Sequence, residues 1–308
     1  MSTILLRGAA EQGLIYALVA LGLYISFRTL NIADLTVDGS FTLGASAAAA
    51  LTVLGHPLLG LVIAMLAGSA AGLVTALLQT KLKVQPILAG IITMTALYSI
   101  NLRVMGNRSN LPLLKTETVY TLFSVLLPPP LRLYGKLVLS LILAVAVGLA
   151  LIIFLRTRLG LSIRATGNNR IMVSASSINP AYTTTVGLCL ANALVAFSGG
   201  LLAQYQMFSE ITLGTGMVVI GLASLIIGEV LCDMVFRVVS VGKAIFSAII
   251  GAVIYRVIIA AALSASVSAS DLKLVSAIIV MIAISYPAVR EQYRFYRLRR
   301  EARNHADA

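Results

Sequence analysis

Acidic residues at helical spacing are the first candidates for chemistry in this chain. Asp34 and Asp38 stand four residues apart, and so do Glu229 and Asp233, with Arg237 four residues further on. Residues at this spacing share one face of a helix, where they can form ion pairs or bind a solute. We predict that Asp38 either caps the second helix or serves a gate or pathway. For Glu229 we predict either a surface ion-pair ladder or a role in docking or gating.

Catalytic signatures with fixed residue spacing do not occur in the sequence. It contains no H-E-x-x-H zinc motif, no G-x-S-x-G nucleophile elbow and no cysteine cluster for a metal. It also lacks a G-x-x-x-x-G-K-[ST] phosphate-binding loop, so it does not bind ATP by that route. We therefore expect no catalytic residue, metal or cofactor in this chain. Any energy from ATP would have to arrive through another subunit.

Composition predicts an all-α polytopic membrane protein. Hydrophobic residues make up 59% of the 308 residues and charged residues 11%, with a mean hydropathy of +0.98. Soluble domains usually carry about 25% charged residues. The formal net charge of +12 is explained by Lys and Arg at cytoplasmic helix ends, so we expect no nucleic-acid partner. Cys189 and Cys232 lie in or beside apolar runs and are predicted to be reduced.

The apolar runs predict about nine membrane spans, within a range of eight to ten. A helix needs about 20 apolar residues to cross a bilayer. The predicted spans lie near residues 9–27, 38–54, 58–79, 86–103, 136–155, 182–204, 214–230, 242–263 and 271–289. The second, fourth and seventh are short and interrupted by Gly, Thr or Ser, which favours broken or re-entrant helices. The first run lacks an A-x-A-like end, so we predict a retained span and no cleaved signal peptide.

The distribution of Lys and Arg predicts a cytoplasmic C-terminus. With nine spans, this orientation puts fifteen Lys and Arg residues inside and eight outside, as the positive-inside bias requires. Residues 104–135 then form an external loop, and residues 156–180 form a cytoplasmic loop. The basic tail, 290–308, is predicted to lie as a helix against anionic lipid. Arg256, inside the eighth span, is predicted to snorkel outward, with internal pairing as the alternative.

A short internal echo predicts an inverted repeat within a single transmembrane domain, residues 1–308. The strings S-F-T-L-G at 40–44 and E-I-T-L-G at 210–214 open the second and seventh predicted spans, which run in opposite directions. Transporters built from such repeats hold their site near the midplane, between discontinuous helices. The first repeat would cover about residues 9–103 and the second about 182–289.

Polar side chains near these segments are candidates for a translocation path or gate. The same residue types also bind transmembrane helices to one another, and the sequence does not separate the two roles. The candidates are Asp34, Asp38, Ser40, Thr42, Gln204, Gln206, Thr212 and Glu229.

A basic, polar segment at 156–180 interrupts the apolar runs. It reads R-x-R-x-G-x-x-x-R-A-x-G-x-N from Arg156, followed by small residues and I-N-P. We predict a short, compact helix that enters a groove on a partner, with Arg164 and Arg170 pairing with acids there. An ordinary basic loop is the alternative. The predicted docking residues are Arg164, Ala165, Thr166, Gly167, Asn168, Asn169, Arg170, Ser174, Ala175, Ser176 and Ile178.

Three segments resemble the branched-chain amino acid permease family of ABC transporters. They are residues 13–44, the basic segment at 156–180, and residues 191–229, in the family's order. The string D-L-T-V-D-G-S-F-T-L-G at 34–44 stands where branched-chain members have an N-F-A-H-G-like run. It resembles the tryptophan/tyrosine branch, and the basic segment resembles the family's ATPase-coupling loop.

The resemblance implies the membrane subunit of a binding-protein-dependent importer in the cell membrane. Its partners would be a second permease copy, cytoplasmic ATP-binding subunits, an extracytoplasmic solute-binding protein and membrane lipid. ATP would act through the partner subunit and drive alternating access for an amino acid or similar small solute. The main alternative is an ion-coupled secondary transporter, which would need carboxylates buried at mid-membrane, whereas the acids here are predicted near span ends. An intramembrane enzyme is a third and weaker alternative.

Overall fold

The predicted all-α membrane fold is confirmed. The computed structural model describes residues 3–114, 116–235 and 240–264, with isolated positions between 274 and 285. The helices are α1 (Thr3–Leu23), continued by a π-helical segment (Tyr24–Thr29), α2 (Thr36–Val53), α3 (Pro57–Thr80), α4 (Pro86–Val104), α5 (Val119–Leu126), a 3₁₀ helix (Pro129–Tyr134), α6 (Gly135–Arg156), α7 (Arg158–Asn168), α8 (Arg170–Ala175), α9 (Pro180–Gln206), α10 (Met217–Val235) and α11 (Val241–Ser264). Eight predicted spans coincide with helices, whereas the ninth, 271–289, and the tail, 290–308, lie outside the continuously described residues.

Six helices in the described part of the chain are long and apolar enough to cross a membrane. They are Thr3–Thr29, Pro57–Thr80, Pro86–Val104, Leu131–Arg156, Pro180–Gln206 and Val241–Ser264. The second, fourth and seventh predicted spans correspond to α2, α4 and α10, which are short, at 18, 19 and 19 residues. Each is one continuous helix, so the predicted breaks within them are wrong.

The break in the helical path lies between α1 and α2. After the π-helical segment the chain turns at Asn31, which has a φ of 55°, and reaches α2 through a short non-helical connection. Asp34 lies in this connection and Asp38 in the first turn of α2. The two aspartates would share one helix face only if residues 34–38 were helical, and Asp34 lies outside α2.

Glycine and alanine let α9 approach its neighbours at backbone distance. A Cβ atom added at Gly44 of α2 would lie 1.9 Å from the carbonyl oxygen of Ala196. One added at Gly68 of α3 would lie 2.4 Å from the carbonyl oxygen of Asn192. Small residues favour such close packing between transmembrane helices because the backbones themselves make the contact. As a result α9 is almost wholly buried over 191–204.

The first helix of each predicted repeat packs against helices of the other repeat. α9 packs against α2 and α3, whereas α1 packs against α10 and α11. The first helix of each predicted repeat thus packs against the second and third helices of the other, which supports the repeat without testing its bounds. The two echo strings differ in placement, since residues 40–44 lie inside α2 and residues 210–214 precede α10.

A two-stranded antiparallel sheet joins the predicted external loop to the end of α9. Strand β1 (Asn110–Pro112) pairs with β2 (Phe208–Glu210), with Asn110 opposite Glu210. The 104–135 connection is therefore ordered over β1, α5 and the 3₁₀ helix. This sheet and the α7–α8 segment lie toward opposite ends of α9, which follows α8 and precedes β2.

Candidate translocation site and coupling surface

Asp38 joins the first turn of α2 to the beginning of α10. Its carboxylate accepts hydrogen bonds from the backbone N–H groups of Gly216 and Val218, both at 2.9 Å. The first N–H groups of a helix have no partner within the helix, so a carboxylate there is a favourable cap. The cap serves α10, and the prediction that Asp38 caps its own helix is wrong. Thr42 adds a contact, because its Oγ1 accepts a hydrogen bond from the N–H of Gly214 at 3.0 Å.

A cavity of about 330 Å³, lined by both polar and apolar residues, lies beside this cap. Its volume falls at the small end of the range for small-molecule sites, roughly 300–1,000 Å³. The lining residues are Asp38, Gly39, Thr42, Met94, Thr95, Tyr98, Asn101, Ile211 and Thr215. Two of the predicted path residues, Asp38 and Thr42, are among them. Thr212 is exposed beside the cavity, where its hydroxyl donates to Glu210 at 2.6 Å.

Asp34 lies in a buried polar network against the middle of α9. Asp34 is buried, with only 3% of the residue's surface exposed. Asn192 donates from Nδ2 to Asp34 Oδ2 at 2.7 Å, and the N–H of Thr36 donates to Oδ1 at 2.9 Å. Ser40, another predicted path residue, donates its hydroxyl to Asn192 Oδ1 at 2.7 Å. Asp34 thus lies just before the beginning of α2, at a span end as predicted, and contacts the middle of α9.

Asp34 is buried without a cationic partner among the described residues, and this burial changes the pKa of its carboxyl group. In the part of the chain that the structure describes, neither recorded salt bridge includes this residue. Desolvation raises the pKa of the Asp34 carboxyl above its usual value, and the hydrogen bonds from Thr36 and Asn192 oppose that shift without cancelling it. The same carboxyl group bonds both Thr36 at the start of α2 and Asn192 of α9.

Gln204 uses its amide to join four helices. Nε2 donates to Thr52 Oγ1 at 3.1 Å and to the carbonyl oxygen of Pro57 at 2.9 Å, while Oε1 accepts from the N–H of Val119 at 3.0 Å. These bonds connect α9 to the end of α2 and the beginnings of α3 and α5, which is a packing role. Gln206, by contrast, has a buried Oε1 without a hydrogen-bond partner among the described residues.

The predicted docking segment forms two helices, α7 and α8, where one was expected. Asn169 separates them and caps α8, since its Oδ1 accepts from the N–H groups of Ile171 at 3.0 Å and Met172 at 3.1 Å. Ile171 is 84% exposed and Met172 is 66% exposed. The other exposed predicted residues here are Arg164, Ala165, Asn168, Asn169, Arg170, Ser174, Ala175 and Ser176, while Ile178 is half-buried. The result is a basic surface with an apolar tip.

Two of the predicted docking residues attach α7 to the bundle. A Cβ atom added at Gly167 would lie 1.8 Å from the carbonyl oxygen of Thr29, so α7 rests directly on the π-helical segment. Thr166 is buried, and its hydroxyl lies 2.7 Å from that of Thr183 in α9. A displacement of α7 is therefore transmitted to the ends of α1 and α9.

Glu229 forms an ion pair across helices. Its Oε1 lies 2.9 Å from Nε of Arg28, at the end of the π-helical segment. The pair borders a polar cavity of about 290 Å³ that Arg164 of α7 also lines. Glu229 thus pairs with a residue outside α10, and the predicted ladder along α10 stays a prediction. The side chain of Asp233 and the whole of Arg237 lie outside the described residues.

The other end of the bundle holds a cluster that the sequence analysis missed. Glu11 of α1 is buried, accepts a hydrogen bond from the hydroxyl of Tyr205 at 2.8 Å, and lies 3.5 Å from Arg7. Arg256 donates to Gln12 and lies over the ring of Tyr16, 4.4 Å from its centroid. Arg256 therefore pairs inside the protein, and the predicted outward snorkelling is wrong. The four-residue spacing of Arg7 and Glu11 was the available signal.

Comparison with known proteins agrees with this architecture. The family model described as "Branched-chain amino acid transport system / permease component" matches residues 5–285. A protein of Clostridioides difficile (strain R20291), named tyrosine transport system permease protein, is 38% identical over 271 residues, which cover 88% of this chain and 87% of that protein.

A second relative, an uncharacterized protein of Rickettsia prowazekii (strain Madrid E), is 31% identical over 279 residues, covering 90% of this chain and 95% of that protein. No solved structure gives a significant match. The family match spans nearly the whole chain and includes both the Asp38 cavity and α7–α8. The chain is therefore a multi-pass membrane protein that belongs to the family of branched-chain amino acid transport system permease components.

Proposed function

We propose that this chain is the membrane-spanning permease subunit of an ATP-driven ABC importer for an amino acid or similar small solute. Aromatic amino acids are the first candidates, because the Clostridioides difficile relative is named for tyrosine transport. The observation that carries the proposal is the exposed apolar tip of α8, Ile171 and Met172, on a basic surface. Such a tip suits a groove on a cytoplasmic ATP-binding subunit, since contiguous exposed apolar residues mark interaction sites.

A mechanical route leads from this tip to the cavity beside Asp38. α8 is continuous in sequence with α7, and α7 rests through Gly167 on the π-helical segment. Arg28 in that segment pairs with Glu229 of α10, and the first residues of α10 are capped by Asp38 at the cavity. Closure of the ATPases would displace α7, and α10 would carry that displacement to the cavity, which is alternating access.

The exposed face of α4 supports a second permease copy. This span is the least buried of the six, since only 28% of an 18-residue apolar stretch within it is buried. Its exposed residues include Thr95 and Tyr98, which line the cavity. Polar side chains rarely face lipid and usually meet another helix or a water-filled path. A homodimer that packs around α4 would enclose the cavity between two copies.

The remaining assignments follow from this arrangement. The α7–α8 surface and the basic tail would face the cytoplasm of a cell whose plasma or inner membrane holds the protein, and the tail would lie near anionic lipid. The opposite end, with the β1–β2 sheet, would receive an extracytoplasmic solute-binding protein. The chain itself would be non-catalytic, and ATP would act through the partner subunit.

The test is co-purification of the tagged chain from its native membrane, with ATPase assays on the complex. We expect a stoichiometric ATP-binding subunit with wild type and its loss with Ile171→Asp. Leu82→Asp is the matched control, because Leu82 is also apolar and 68% exposed but lies in the turn between α3 and α4. Retention of the ATPase by Ile171→Asp, or its loss with both variants, would contradict docking through α8.

Buried Asp34 favours an ion-coupled secondary transporter as the second candidate. Ionisable residues inside a membrane protein commonly mark ion or proton paths, and this carboxylate lies beside the middle of α9. Reconstitution of the chain alone into proteoliposomes separates the two candidates. Uptake of labelled solute driven by a proton or sodium gradient, without ATP or partners, would favour the second candidate over the first.

A further inference from the structure

A buried oxygen without a hydrogen-bond partner belongs to a residue that lines the cavity beside Asp38. Asn101 of α4 is 1% exposed and lines this cavity. Its Nδ2 donates to the carbonyl oxygen of Gly39 at 3.3 Å, which fixes the orientation of the amide. Its Oδ1 is buried and has no hydrogen-bond partner among the described residues. Buried polar atoms are nearly always hydrogen-bonded, so an acceptor left open beside a cavity indicates a donor that enters with a ligand.

The other polar groups of the cavity also favour a ligand that donates hydrogen bonds. Asp38 is the charged residue among the described lining residues. Its carboxylate accepts from the N–H groups of Gly216, Met217 and Val218, fewer than the roughly four donors that two carboxylate oxygens can accept. Thr42 already donates to the carbonyl oxygen of Asp38 and accepts from Gly214. An anion would meet the Asp38 charge in a partly desolvated site, whereas a cation with N–H donors is attracted to it.

The rest of the lining suits an apolar or aromatic body. Met94, Tyr98 and Ile211 line the cavity together with the polar groups. Methionine sulfur and an aromatic ring both make favourable contacts with a second ring. The volume of about 330 Å³ admits a single small molecule. The site therefore combines an acceptor cluster at one side with an apolar surface at the other.

We propose that this cavity binds the primary ammonium group of the transported solute, with Asn101 Oδ1 as its hydrogen-bond acceptor. Asp38 supplies the counter-charge while it caps α10, so ligand binding acts on the helix that leads to the Arg28–Glu229 pair. Met94 and Tyr98 contact the body of the solute. This inference rests on the proposed function, and it adds the functional group that the permease itself recognises.

The test measures binding to the purified complex, with whatever subunits accompany the chain, as a shift in Tm. The probes are L-tyrosine, tyramine, which has the ammonium group without the carboxylate, and 3-(4-hydroxyphenyl)propionate, which has the carboxylate without the ammonium group. We expect the first two to raise Tm and the third to have no effect, because only a ligand that binds the folded state stabilises it. Uptake of labelled L-tyrosine into proteoliposomes that contain the complex and its binding protein is measured in parallel.

Two variants separate the acceptor from its packing role. Asn101→Leu removes the acceptor, and we expect tyramine binding to weaken about 10- to 100-fold, as for loss of a hydrogen bond to a charged group. Asn101→Asp keeps an acceptor oxygen and should retain binding. Ser99→Ala, on the same helix but outside the lining, is the control and should bind as wild type does.

The inference is overturned if 3-(4-hydroxyphenyl)propionate binds as well as tyramine, or if Asn101→Leu binds tyramine as wild type does. Equal loss in Asn101→Leu and Asn101→Asp would also overturn it, because both would then act through packing. If Asn101→Leu does not fold, the probe comparison on wild type and Asn101→Asp still decides. Absence of tyrosine uptake by the wild-type complex, with tyramine binding intact, would count against the proposed function and leave the ammonium site standing.

Discussion

Replacement of Asn192 by leucine should destabilise the bundle at its centre. Asn192 donates to the Asp34 carboxylate at 2.7 Å and accepts from the Ser40 hydroxyl at 2.7 Å, and it is fully buried. Leucine has the same branch at Cγ as asparagine and a larger volume, so the change removes hydrogen bonds without opening a cavity. It leaves a buried carboxylate with one fewer donor and a buried hydroxyl without its acceptor.

The expected loss follows from these two bonds. A hydrogen bond to a charged group contributes roughly 1.5–3 kcal/mol, and a neutral one about 1 kcal/mol. We therefore expect the free energy of unfolding to fall by about 3 kcal/mol, which for a domain of this size corresponds to a decrease in Tm of about 5–10 °C. Asp34→Asn in the Asn192→Leu background should recover part of the loss, because it removes the uncompensated buried charge.

Thermal unfolding in detergent, followed by fluorescence-detected size exclusion, measures this effect. Thr185→Val on α9 is the matched control, because the Thr185 hydroxyl donates within its own helix, to the carbonyl oxygen of Ala181. We expect that control to stay within about 1 °C of wild type. If Asn192→Leu has the same Tm as this control, the buried network does not hold α2 against α9, and the reasoning is refuted.

Three further predictions concern pH, coupling and the ion pair. Burial raises the pKa of the Asp34 carboxyl above its usual 3.8. The stability that the protonated carboxyl contributes is therefore lost as the pH rises from 3.8 through the folded-state pKa. Asp34→Asn should make Tm less dependent on pH between these two values, and an unchanged pH profile would contradict this. Gly167→Leu should keep expression but lose solute-stimulated ATPase activity, because any Cβ meets the Thr29 carbonyl, whereas Gly8→Ala, in open space, should behave as wild type. Arg28→Glu should impair transport with little change in Tm, because exposed pairs contribute about 0–1 kcal/mol, and adding Glu229→Arg should restore uptake; equal defects in the single and double variants would show that pairing is not what matters.

Much of the fold could be predicted because each span carries its signal in its own residues. A run of apolar side chains with the length of a bilayer forms a helix wherever it lies in the chain, so α3 and α6 were predicted within a residue or two. The exposed docking segment could be predicted for a similar reason. Its basic residues and small side chains contrast locally with apolar neighbours, and no tertiary contact is needed to see that contrast.

The candidate site could be predicted only in part. Asp38 and Thr42 were found because they lie beside or within the repeated string at 40–44 and are polar in an apolar sequence. Asn101 was not among the predicted path residues, since its burial and its open oxygen depend on where α4 crosses α2. Glu11 was missed altogether, because an acid near the beginning of the first span looks like an ordinary helix end.

By itself, the sequence determined the class of protein, the positions of the spanning helices and the exposed basic segment, because hydrophobic run length and local charge act residue by residue. The tertiary structure decided which groups meet: Asp38 with the beginning of α10, Asp34 with Asn192, and Glu229 with Arg28. These partners lie 180, 158 and about 200 residues apart. A carboxylate can accept from any donor within hydrogen-bond distance, so its type predicts that it will be paired, and only the packing of the helices selects the partner.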